Sequence, residues 1–141
     1  MPVILDTDHL TILQRRSAES GRLLARLDRL APDDIATTIV NYQEQVKGWM
    51  ALLNQARKAD EIVRAYEELD ELRRAFQRMN VLPFTEAAQE CFTEIRKRCR
   101  RLGTLDLRVA SIALTTDSTL LSRNLQDFQR VPGLRTEDWT V

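Results

Sequence analysis

The stretch Val3-Ile4-Leu5-Asp6-Thr7-Asp8-His9-Leu10 decides how this chain is read. Three apolar residues are enough for a short buried strand, yet the run ends in two carboxylates and the chain's single histidine. Burying an unpaired carboxylate costs several kcal/mol, so such a group meets a donor, a cation or water. The strand is therefore expected to deliver Asp6 and Asp8 to something that answers their charge.

Outward from this stretch, short apolar runs recur at residues 35–40, 81–84, 119–122 and 134–135, and each is expected to form a strand. Between them the apolar residues keep helical spacing. Leu23, Leu24, Leu27 and Leu30 do so first, then Val46, Trp49 or Met50, and Leu53, then Ile62, Tyr66, Leu69, Leu72, Phe76 and Met79, and last Ala88, Cys91, Ile95, Cys99 and Leu102. Residues 41–80 hold two helices with a break near 54–60, and Asp60–Arg64 and Asp70–Arg74 are expected i,i+4 ion pairs of the second. Strands alternating with helices imply right-handed crossovers and a mostly parallel sheet covered on both faces. Turn residues punctuate the chain at Ala31-Pro32-Asp33-Asp34 and Val131-Pro132-Gly133.

The 141 residues suit one domain, 43% hydrophobic and 30% charged, which excludes a disordered or fibrous chain. No apolar stretch reaches the roughly 20 residues that span a bilayer, and the N-terminus does not read as a signal peptide, so the cytoplasm is the expected compartment. Cys91 and Cys99 stand about 12 Å apart if helical, too far for a disulfide, and read as packing residues. Acids and bases cancel at 21 each, but they are sorted. RKRCRR at residues 96–101 carries Arg96, Lys97, Arg98, Arg100 and Arg101, whereas residues 60–71 hold Asp60, Glu61, Glu67, Glu68, Asp70 and Glu71 against Arg64. One basic face is implied.

In open parallel sheets, ligands bind beyond the carboxyl ends of the strands. Asp6 and Asp8 follow the first strand, Glu44 lies just inside the helix after the second, and Asn124 and Asp127 follow the fourth. Asp106 opens a helix after Leu102-Gly103-Thr104 and can reach the same rim. A carboxylate at a helix start also serves as a cap, so each of these acids has a structural reading of its own. Together, converging acids without interleaved lysines repel unless a hard cation joins them, and magnesium or manganese suits oxygen donors and retained waters. Such an ion activates water and stabilises both oxygens of a phosphodiester displacement. The basic run ending near Arg101 would hold a phosphate backbone alongside, with Arg98 and Arg101, three apart on one helix face, as its contacts.

The chain resembles the PIN-domain ribonucleases, and among them the VapC-type toxins. The resemblance is carried by LDTDHL, EQVKG, GTLDLRVASIAL and the closing SRNLQDFQRVPGLRTEDW. It implies an α/β/α sandwich, magnesium- or manganese-dependent cleavage of RNA, a homodimer and a cognate antitoxin. It also implies that Asp6, Glu44 and Asp106 are the catalytic metal-site acids, with Asp127 as a further ligand and Asp8, Ser122 and Asn124 in support. The chain departs from the family pattern at Asn124, where a fourth acid often stands, at Asn41, where Thr or Ser is usual, and at Gln45, where Leu is usual. The number of metal ions is left open.

His9 reads as a hydrogen-bonded structural residue, and Trp49 and Trp139 as core or dimer-interface residues. Two other functions fit parts of the pattern. A haloacid-dehalogenase-like phosphatase shares a DxD opening, but its fifth motif position is Thr or Val where Leu10 stands here. A PIN-like module that binds RNA or protein without cutting keeps the fold but has no use for three crowded acids.

Overall fold

The computed structural model describes residues 1–16, 18 and 20–141. In chain order the described elements are β1 (Val3–Leu5), α1 (Thr7–Arg15), α2 (Ser20–Leu27), a 3-10 turn (Pro32–Asp34), β2 (Ile35–Thr38), α3 (Ile39–Gln55) and α4 (Ala59–Gln77). They continue with β3 (Val81–Leu82), α5 (Glu86–Arg98), α6 (Thr104–Thr115), β4 (Thr119–Leu121), α7 (Leu125–Phe128) and β5 (Thr136–Glu137). The sheet is parallel throughout, in the order β3-β2-β1-β4-β5. β1 is central, with Val3 and Leu5 in register with Thr119 and Leu121 of β4 on one side and Val3 opposite Ile35 of β2 on the other.

Alternation along the central strands builds two cores. Ile4 and Leu120 face one side with Phe92, Ile95, Val109, Ile112 and Phe128, beneath α5, α6 and α7. Val3, Leu5 and Leu121 face the other with Leu10, Leu23, Leu72, Phe76 and Trp139, beneath α1, α2 and α4. The result is the expected three-layer α/β/α sandwich. No helix among the described residues is long and apolar enough to cross a membrane.

The structure moves several expected boundaries. The second strand stops at Thr38, not residue 40, because the Thr38 hydroxyl accepts the Asn41 N–H (3.1 Å) and starts α3, which makes β-branched Ile39 and Val40 helical. The third strand stops at Leu82, since Pro83 has no N–H to extend a ladder. β5 lies two residues beyond the expected 134–135, where Thr136 and Glu137 register with Leu120 and Leu121. Gly133, with φ +78°, provides the turn that brings this segment back. α5 ends at Arg98, so Arg101 stands in the following turn and shares no helix face with Arg98. Asp70 pairs with both Arg73 (2.7 Å) and Arg74 (2.8 Å), whereas no ion pair joins Asp60 to Arg64.

Candidate active site

Three strand ends bring polar side chains to one rim: β1 leads into Asp6, β2 ends in Thr38, and β4 leads into Ser122. Asp6 occupies the N-cap position of α1, yet its carboxylate makes no cap bond. Instead Oδ1 accepts from Asn41 Nδ2 at 2.9 Å and Oδ2 accepts from the Ser122 hydroxyl at 2.9 Å. Asn41, 1% exposed, is oriented in turn, because its Oδ1 accepts from the Thr38 hydroxyl (2.7 Å) and its amide also reaches Thr7 Oγ1 (3.2 Å). The capping reading thus fails for Asp6, whose charge points into the rim.

Asp8 is held from two sides. One oxygen accepts from the Arg123 N–H (2.9 Å) and lies 3.2 Å from the Ser122 hydroxyl, and the other meets His9 Nδ1 at 2.6 Å. The single Ser122 proton is shared between Asp6 and Asp8, while its oxygen accepts the Asn124 N–H at 3.1 Å. Burial pushes the Asp8 carboxyl up, but the hydrogen bonds from His9 and the Arg123 N–H outweigh it and hold Asp8 below the usual carboxylate range. For Asp6 the balance is reversed: burial, then the neighbouring Asp8 charge, raise it above its ordinary value.

Asp106 lies in the first turn of α6, and Asp127 in the first turn of α7. Burial, followed by the charges of Asp6, Glu44, Asp127 and Asp8, pushes the Asp106 carboxyl up to about 6. These five acids therefore share one electrostatic neighbourhood. Among the described residues neither Asp106 nor Glu44 takes a hydrogen bond or an ion pair. Asn124 donates from Nδ2 to Asp127 Oδ2 (3.1 Å), so the position where a fourth acid is usual instead orients the acid three residues later. Arg98 and Arg101 are exposed, and no ion pair joins them to the acids.

The donor set suits a hard divalent cation. It is all oxygen, no Lys or Arg forms an ion pair with Asp6, Glu44, Asp106 or Asp127 among the described residues, and Asp6 takes one side-chain donor per oxygen, leaving lone pairs to spare. Among the described residues no three His, Cys, Asp or Glu side chains close in far enough to cage an ion unaided. Magnesium does not require such a cage, because it keeps several waters and takes few carboxylates directly.

Sequence reasoning set Ser122 and Asn124 beside the acids but missed the part of Asn41 and Thr38. Asn41 registered only as a departure from a pattern, and Thr38 as the interior of a strand; both are buried and hydrogen-bonded around Asp6. The available signal was a run of small polar residues, Thr37, Thr38 and Asn41, in a stretch otherwise read as apolar strand.

The PIN domain family model matches residues 3–134 of the chain. The chain is 29% identical to Ribonuclease VapC1 of Haemophilus influenzae over 147 aligned positions, covering 99% of both. Its structure is similar to that of DNA-bound VapBC from Salmonella typhimurium (TM-score 0.75, 22% identity, 99% and 98% of the two chains). It is also similar to a toxin-antitoxin complex from Klebsiella pneumoniae (TM-score 0.67, 20% identity, 94% of each chain). These likenesses leave no place for a haloacid-dehalogenase-like phosphatase, and the buried, doubly hydrogen-bonded Asp6 is not placed as a free nucleophile. With its acids, sheet order and family match in agreement, the chain belongs to the PIN domain family.

Proposed function

We propose that the chain is a metal-dependent endoribonuclease that hydrolyses RNA phosphodiesters at the acid rim, and that it is the toxin of a toxin-antitoxin pair. The observation that carries this reading is the position of Asp106, whose carboxyl is pushed up to about 6 by burial and by four surrounding acids. A magnesium or manganese ion, when bound, would supply an activated water and charge neutralisation at the phosphate. Asp6, Glu44 and Asp106 would hold it, with Asp127 in the fourth place. Asn41 and Ser122 fix the Asp6 carboxylate, and Asn124 fixes Asp127, so the oxygens face the rim before any ion arrives.

Kinship with Ribonuclease VapC1 supports the activity, and the fold shared with VapBC and toxin-antitoxin complexes supports a protein partner. A groove of about 780 Å³ between α1, α3 and α4, lined by Leu13, Trp49, Leu52 and Leu72 with Arg15 and Glu68 on its margins, suits an amphipathic antitoxin helix. Exposed Met50, Ile62, Val63 and Tyr66 on α3 and α4 offer further apolar surface for assembly, and a homodimer is the state we assign.

The test is cleavage of bulk RNA by the purified chain in magnesium, manganese or EDTA, with Asp106→Asn alongside. Cleavage that needs the ion and the native carboxylate is expected. A chain that binds RNA but leaves it whole in both metals would make this a non-cleaving PIN-like module.

A further inference from the structure

A second feature adjoins along the chain the segments that carry Asp106 and Asp127. Lys97, Arg98, Arg100, Arg101 and Arg130 surround a depression of about 290 Å³, floored by buried Cys99 and Leu102. Of these cations only Lys97 has an acidic neighbour among the described residues, Glu94 at 3.3 Å. All five are exposed.

The walls come from different parts of the chain. One is the end of α5 and the turn that precedes α6, which carries Asp106 in its first turn. The other is Arg130, whose N–H donates to the Asp127 carbonyl at 3.1 Å just after α7. The Cys99 thiol donates to the Arg130 carbonyl at 3.5 Å and ties the two together. Both walls are thus continuous with segments that bring an acid to the rim.

We propose that this depression holds a backbone phosphate of single-stranded RNA beside the acid rim, with Arg130 completing a site that the basic run alone leaves open. This rests on the ribonuclease reading above. Guanidinium groups, four of the five cations here, match phosphate oxygens in a bidentate fork. Among the described residues no aromatic side chain lines the depression, and Phe92 on the preceding helix is already covered by Arg96 (5.7 Å) and Arg108 (5.4 Å). Without a stacking platform or a base-reading edge, the contact positions the strand and carries no sequence preference.

The experiment measures binding apart from cleavage. The 141-residue chain carrying Asp106→Asn is titrated in EDTA with a fluorescein-labelled single-stranded RNA oligonucleotide over a range of potassium chloride concentrations. Adding Arg130→Gln should lower the slope of log affinity against log salt by about 0.7, and Arg98→Gln with Arg130→Gln by about 1.4, one phosphate contact for each side chain. Arg22→Gln, on the exposed face of α2, should leave the slope unchanged. Thermal melts confirm that each variant is folded. An unaltered slope in the double variant overturns the proposal, as does a parent that binds duplex DNA but not the single strand. Metal-supported cleavage by protein with native Asp106 is assayed in parallel. Its absence, with the slopes changed as expected, would count against the nuclease reading alone.

Discussion

His9 and Trp139, 130 residues apart, meet where the imidazole Nε2 accepts the Trp139 main-chain N–H at 3.1 Å. Because Nε2 accepts, the hydrogen-bond network assigns the ring proton to Nδ1, which points at Asp8 at 2.6 Å. The ring, 0% exposed, is a strut between the segment after β5 and an acid of the rim. Replacing it with Leu leaves a buried N–H without an acceptor and removes a donor from Asp8. His9→Leu should therefore cost about 2 to 4 kcal/mol of stability in urea unfolding, the sum of two such losses. A change below about 0.5 kcal/mol, the size of an ordinary surface substitution, would refute the strut.

On the proposed metal-dependent reading, Asp6→Asn and Asp106→Asn should each slow RNA cleavage on the order of a hundredfold or more while keeping the fold, since each removes a charge assigned to the ion and not to the core. Circular dichroism checks the fold, and initial rates in saturating magnesium check the loss. Either variant cutting at the parental rate would remove that residue from the site.

The Asp106 titration fixes the sign of a pH effect. Its carboxyl is held near 6 in the folded chain, and an unfolded carboxylate titrates near about 4, so the native state binds the extra proton between these values. The stability it contributes is fully present below about 4 and is lost as pH rises through about 6. Asp8, held below its ordinary range, acts in the opposite direction and only in more acidic solution, where stability is lost as pH falls. In EDTA the melting temperature of the parent should fall from pH 4 toward pH 7 relative to Asp106→Asn, and magnesium should reverse part of the fall. Parallel pH profiles for the two proteins would show that Asp106 does not feel its neighbours.

Asn41 tests whether the acids are held in place or simply collected. Asn41→Ala removes the donor to Asp6 and the acceptor of the Thr38 hydroxyl, and should cost about 1 to 3 kcal/mol. Asn41→Asp instead sets a second carboxylate 2.9 Å from Asp6, in the place of a donor. It should destabilise the metal-free protein more than Ala does, and magnesium should rescue it preferentially. Equal melting of the two variants in EDTA would contradict this geometry.

The acids were legible in the sequence because strand ends and helix starts are marked by local patterns, and a carboxylate after a buried strand stands out. Asp6, Glu44, Asp106 and Asp127 appear where those patterns place them. What holds them was legible only through the resemblance, which put Ser122 and Asn124 in support, and Asn41 was not read in that role. The bonds from Asn41 and Ser122 to Asp6 span 35 and 116 residues, and no local periodicity encodes such a distance. β5 was misplaced by two residues for the same reason, because a two-residue edge strand takes its register from β4 and carries little pattern of its own. Arg130 was overlooked because its neighbours in sequence are uncharged or acidic, and the cations it joins lie about thirty residues earlier.

The pairing of β1 with β4 also sets the order of events when the chain is made. Val3 finds Thr119, and Asp6 finds Ser122, only after more than a hundred intervening residues exist. Contacts so distant in sequence close late and slowly. A ribosome translating this message therefore carries a nascent chain whose central strand has one flank open and whose Asp6 lacks the Ser122 donor until β4 has emerged. Premature termination anywhere upstream of Thr119 yields a fragment lacking the fourth strand, and a cutting activity directed at RNA would be withheld from the message during its own translation.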